Sequence, residues 1–228
     1  MITAKANIDA VNSLGKTALH LAAEKGHVFA VRRLLNASAT VDVETMQGIT
    51  PLHLAVGEDR ADVVQVLLNT KANVDACCTL KQTPLHRAAF RGSSAAARVL
   101  INANAAIDAK DEDCRTPLYW AIYFGHSEIV QLLVEARASP YAEGDPHSSP
   151  FLVAAALGDV ATTQALIKTK AIVEGNPHSS PLLVAAALGD VATTQALIEA
   201  KAIVDVFDGL LKTTPLHLAA LCGRSATL

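Results

Sequence analysis

Apolar residues recur along this chain at fixed offsets from one polar step. The step is a Ser or Thr at positions 17, 50, 83, 116, 149, 180 and 214, followed by Pro in every copy but the first. Two residues on stand Leu19, Leu52, Leu85, Leu118, Phe151, Leu182 and Leu216. Five residues on stand Ala22, Ala55, Ala88, Ala121, Ala154, Ala185 and Ala219, and six on Ala23, Val56, Ala89, Ile122, Ala155, Ala186 and Ala220. Offsets of three and four place these side chains on one helical stripe. The polar step is a helix start: a hydroxyl accepts a free backbone N–H at the N-cap, and Pro suits the first helical position, where it loses no hydrogen bond. Nine residues past the step a Gly ends the helix in every copy except the second, which has Asp59.

A second apolar stripe follows: Val31, Leu34, Leu35, then Val64, Leu67, Leu68, then Ala97, Leu100, Ile101, then Val130, Leu133, Val134, then Thr163, Leu166, Ile167. The pattern predicts pairs of short helices. One pair buries little by itself, so successive pairs must stack into a continuous core. The steps are 33, 33, 33, 33, 31 and 34 residues apart. Twenty-five residues after each of the first six comes one fixed place: Asp42, Asp75, Asp108, Tyr141, Glu174 and Asp205. All length variation falls after that place, where a surface loop can absorb it.

Thr-Pro-Leu-His (50–53, 83–86, 214–217), the following Ala-Ala or Ala-Val, the Gly-His at 26–27 and 125–126 and the paired leucines, in a 33-residue period, resemble the ankyrin repeat. The resemblance implies an all-α solenoid of stacked antiparallel helix pairs with projecting hairpin fingers. On this reading 1–11 is the tail of a preceding repeat. Six repeats cover 12–208 (12–44, 45–77, 78–110, 111–143, 144–174, 175–208), and 209–228 is a partial seventh. Tyr119, Leu152 and Leu183 replace the motif His. Segments 144–174 and 175–205 differ at five of 31 positions, which reads as an internal duplication. The last copy stops before its second helix and leaves Leu216, Ala219 and Ala220 uncovered, so the sequence reads as a slice of a longer array or as a reading frame cut short.

Composition narrows the function. Apolar residues make up 51% but aromatics 4%, a helical rather than β-rich balance. A net charge of −3 gives no reason to expect nucleic-acid binding. No apolar run spans a bilayer and residues 1–10 have no signal-peptide core, which suggests an intracellular protein of the cytoplasm or nucleus. Cys77, Cys78 and Cys114 lack metal-ligand spacing and read as free thiols, and the acidic run 111–113 as a solvated finger tip. His20, His53, His86 and His217 lie one repeat apart, too far to share a metal, and read as bonded to their own caps and the neighbouring backbone. No nucleophile, base and orienting group can be assembled, so neither catalysis nor a cofactor or metal is expected.

One stripe exceeds this background. Positions four, seven and eight past the step face away from the core, on the side that the resemblance makes a concave groove. They become Arg87, Phe90 and Arg91 in the third copy and Trp120, Tyr123 and Phe124 in the fourth, with Leu157 and Leu188 further on. These eight residues are the candidate partner-binding site of a non-catalytic scaffold or adaptor. The expected partner is a protein or peptide with an apolar anchor for Trp120 and a carboxylate for Arg87 or Arg91. One alternative makes the array the targeting arm of a larger kinase or ubiquitin ligase. Another, a reader of methylated lysine built on the three aromatics, is opposed by the charges of Arg87 and Arg91.

Overall fold

Wherever its cap is described, a helix pair begins at a hydroxyl. The computed structural model describes residues 7–140, 149–168, 181–199 and 214–221. Within them Thr17, Thr50, Thr83 and Thr116 hold extended backbone, and each Oγ1 accepts the N–H three residues on at 3.3–3.4 Å. Ser149 is also an N-cap, but its hydroxyl donates instead to the Pro140 carbonyl.

The chain divides into two compact units, Met1–Glu112 and Asp113–Leu228. The first holds α1 (Ala18–Lys25), α2 (Val28–Asn36), α3 (Pro51–Gly57), α4 (Ala61–Asn69), α5 (Pro84–Arg91) and α6 (Ser94–Asn102). The second holds α7 (Pro117–Tyr123), α8 (Ser127–Glu135), α9 (Pro150–Leu157), α10 (Val160–Lys168), α11 (Pro181–Leu188), α12 (Val191–Glu199) and α13 (Pro215–Leu221). Within each unit the odd helices pack in one row and the even helices in another. The described residues contain no strand.

The core follows the stripe. The large apolar residue two past the cap is buried from Leu19 to Leu182, and so is every described Ala five past it. Leu216 and Ala220 are exposed, as expected, but Ala219 is buried, because α13 packs on α11. In the outer row Val31, Val64, Ala97, Val130, Thr163 and Leu166 are buried.

Two side-chain devices join successive repeats in the first unit. His20 Nδ1 accepts the Thr17 backbone N–H at 3.2 Å, which leaves the proton on Nε2; that nitrogen donates to the Ile49 carbonyl at 2.9 Å. His53 does the same with Thr50 and the Gln82 carbonyl. His20 and His53 are thus latches, as their spacing suggests, while His86 and His217 accept the N–H of their own caps, Thr83 and Thr214. The second device explains the fixed aspartates. Asp9, Asp42 and Asp75 each accept a backbone N–H from 31 residues further on, those of Thr40, Asn73 and Ala106. A charged acceptor strengthens each bond. Tyr141, Glu174 and Asp205, the later members of this series, lie outside the described residues, as do His147, His178 and the altered fingers of the duplicated copies.

The first unit's fingers are tight turns. Thr45 N–H donates to Ile49 O and Cys78 N–H to Gln82 O; Thr79 N–H ties one finger to the next through Gln47 O. The acidic run departs from expectation at its first residue only. Glu112 and Asp113 are exposed, but Asp111 is only 5% exposed. It occupies the place of Asn12 and Thr45, whose side chains accept amides of their own finger. Cys77, Cys78 and Cys114 are free thiols.

Candidate partner-binding surface

The stripe opposite the core is open. Phe90, Tyr123, Phe124, Leu157 and Leu188 each leave between 41% and 55% of their surface exposed, while Arg87 and Trp120 are half-buried. The eight candidate residues divide between the units: Arg87, Phe90 and Arg91 belong to the first, and Trp120, Tyr123, Phe124, Leu157 and Leu188 to the second.

In the first unit the two arginines play different parts. Arg91 is already engaged, its Nη2 3.1 Å from Glu58 Oε1 and its Nε donating to the Gly57 carbonyl. Reading down one column of the repeat would have found this pair, because Glu58 and Arg91 occupy equivalent places 33 residues apart. Arg87 turns toward the first two repeats. Its Nε is buried with no hydrogen-bond partner, and burial, with the charge of Arg91 behind it, lowers the guanidinium pKa from its usual range. Gly57 makes this possible, since a Cβ there would lie 2.6 Å from Arg87 Nε. A Gly inside a helix costs about 0.5–1 kcal/mol relative to Ala, so its place beside Arg87 has a packing reason. Arg87 thereby lines a cavity of about 420 Å³ with Lys16, Glu24, Leu54 and the finger residues Leu14 and Met46. Lys16 Nζ and Glu24 pair at 2.8 Å, which holds the Glu24 carboxyl below its ordinary range.

In the second unit the aromatics pack on each other while staying open on one side. Trp120 stacks on Phe124 at 5.9 Å between centroids, and Tyr119 on Tyr123 at 6.0 Å. Trp120 meets Tyr123 edge-on. Such pairs stiffen a surface as well as filling space. Arg115 lies over the Trp120 ring at 5.1 Å and over Tyr119 at 5.6 Å, and its Nη1 pairs with Asp113 at 2.6 Å. Sequence reading passed over Arg115, whose only signal is its place just before the cap. On the opposite, outer row a second cavity of about 630 Å³ opens between α8 and α10, lined by Val130, Gln131, Val134, Thr162 and Ala165 among others.

A family model described as ankyrin repeats (3 copies) matches residues 1–77 and 70–143. The chain belongs to the ankyrin repeat family. Its fold is that of an ankyrin solenoid. The ankyrin repeat domain of Bcl-3, a member of the IkappaB protein family, superposes with a TM-score of 0.81 at 29% identity, over 90% of this chain and 94% of that one. The human ASB11 ankyrin repeat domain superposes at 0.75 with 24% identity, over 93% and 96%. No curated protein matches the chain. Ankyrin repeats are a general protein–protein interaction module and typically do no catalysis. Among the described residues no helix is long and apolar enough to cross a membrane.

Proposed function

We propose that this ankyrin array is a non-catalytic adaptor that holds a protein partner on the open stripe of its inner helices. Trp120, Tyr123 and Phe124 are the second unit's apolar anchor site, which Leu157 and Leu188 extend, and Arg87, Phe90 and Arg91 form the first unit's own candidate surface. The observation that carries this is the aromatic stack of α7, in which rings that could have been core residues lie half-open to solvent. Rigid aromatics of this kind dominate binding hot spots because they bury much area for little lost entropy. A methyl-lysine cage fits less well. A cage needs ring faces around an empty space, whereas Trp120 and Phe124 face each other, and Arg115 already covers Trp120.

The test begins with peptides selected from a displayed library on the intact chain. Trp120→Ala and Phe124→Ala should each weaken the best peptide by about 2 kcal/mol or more if they are hot spots. Phe29→Ala, on the exposed face of α2, should change nothing. Equal affinity for all four proteins would overturn the assignment of the stripe.

A further inference from the structure

We infer that the first unit's cavity is a receptor for an acidic side chain flanked by large apolar residues on the partner, and that Arg87 selects the acid. This rests on the reading of the chain as a protein-binding array and gives that reading a chemistry. The cavity has two kinds of wall. Leu14 and Met46 come from successive fingers, both strongly exposed, with Met46 at 91%, and Leu54 lies below them on α3. Methionine adapts its shape to what it meets, so Met46 is suited to receive an apolar side chain.

The polar wall is unbalanced. It carries two cations, Lys16 and Arg87, against one carboxylate, Glu24. Lys16 and Glu24 hold each other at 2.8 Å, and the carboxylate of Glu58 on the neighbouring surface is taken by Arg91 at 3.1 Å. Arg87 remains half-buried with its Nε unpartnered, and its pKa is depressed by that burial. The Gly at position 57 supports the same placement, since any side chain there would push Arg87 aside. A guanidinium is a planar fork whose geometry matches a carboxylate, so an acid seated in this cavity meets the Arg87 side chain that lines it. A lysine or arginine on the partner would meet the charge of Arg87 and find Glu24 already paired with Lys16, so the site rejects basic sequences as it accepts acidic ones.

The chain has two methionines, so methyl-labelled methionine gives two signals, and Met46→Leu identifies the one at the cavity. The probes are the capped peptides Ac-Leu-Glu-Leu-NH2 and Ac-Leu-Gln-Leu-NH2, titrated into the full chain. The Glu peptide should move the Met46 methyl saturably and bind about tenfold tighter than the Gln peptide, because its hydrogen bonds are charge-assisted. Arg87→Gln should bring the two peptides within about twofold of each other, while Met46→Ser should weaken both and leave their ratio intact. Circular dichroism on each variant separates loss of a contact from loss of the fold. The proposal fails if the Glu peptide gives no saturable shift up to about 10 mM, if the unmodified chain binds both peptides equally, or if folded Arg87→Gln keeps the preference. Any of these results leaves the Trp120 test standing, because that test reads different residues.

Discussion

At the scale of single residues, the chain's buried polar groups sort into those with partners and those without. Thr163 takes the place that is Val31, Val64 and Val130 in other repeats; it is fully buried and its hydroxyl has no partner. Thr194, its counterpart one repeat later, donates to the Asp190 carbonyl at 2.7 Å. The twin threonines of the duplicated segments are therefore not equivalent. Thr163→Val should raise stability by about 1 kcal/mol, since it removes an unsatisfied buried hydroxyl. Thr194→Val should bring no gain, because it discards a made bond. A denaturant titration of both variants checks this, and equal gains would refute the distinction. The latch histidines give a pH prediction. Burial lowers His20 and takes His53 from its ordinary 6.5 to about 4. The unfolded chain then binds the proton more readily, so stability is complete above pH 6.5 and drains away as pH falls toward 4. For His53 the span corresponds to roughly 3 kcal/mol at about 1.4 kcal/mol per unit. Denaturant midpoints at pH 7.5 and 5 should differ in this sense, and His53→Gln should flatten the difference. A midpoint that does not move with pH would show that the ring is not held neutral.

At the scale of the helix and its turn, periodicity made most of the fold legible. Caps, core stripe and latch histidines all sit where residue type and spacing place them, because each is a local rule repeated many times. What stayed hidden is what one residue does to another a repeat away. Asp42 reads only as a constant letter until its carboxylate is seen on the Asn73 amide. Asp59, which takes the place of the helix-ending Gly, holds that turn at a φ of 53° and caps α6 through the Ala96 amide. The candidate stripe was legible as a list of exposed positions. Its electrostatics were not, because the pairing of Arg91 with Glu58 and the space that Gly57 leaves for Arg87 are three-dimensional facts. Lys71 exposes a local strain. It follows the C-terminus of α4 at a φ of 68°, a left-handed place where glycine is at ease. Lys71→Gly should stabilise the chain by up to about 1 kcal/mol, the relief of backbone strain outweighing the extra freedom of the unfolded chain. A lower midpoint in thermal or chemical unfolding would show that the lysine side chain contributes more than its backbone costs.

At the scale of the whole molecule, stability in a stacked array is a sum over repeats and the joints between them. The first unit carries the His latches from α1 and α3 and the Asp bonds to the next repeat. In the second unit, Tyr119, Leu152 and Leu183 stand where the latch would be, Ser149 makes no capping bond to its helix, and Thr163 is unsatisfied. Amide exchange should accordingly be slowest in α3 to α6 and faster in α9 to α12, as regions with fewer satisfied bonds open more readily. Equal protection of the two sets would mean that apolar packing outweighs the latches.

The latches also give the array a direction. In the first unit the repeats of His20 and His53 each offer an imidazole N–H and a carboxylate toward the next, which presents a carbonyl and an amide in return. The two faces of a repeat are therefore unlike, plug on one side and socket on the other. A repeat excised or copied in whole periods meets the same fittings at both new seams. A splice at any other phase leaves the plug out of register with its socket. A change of array length by whole repeats would therefore keep these joints, and a change at any other phase would break them.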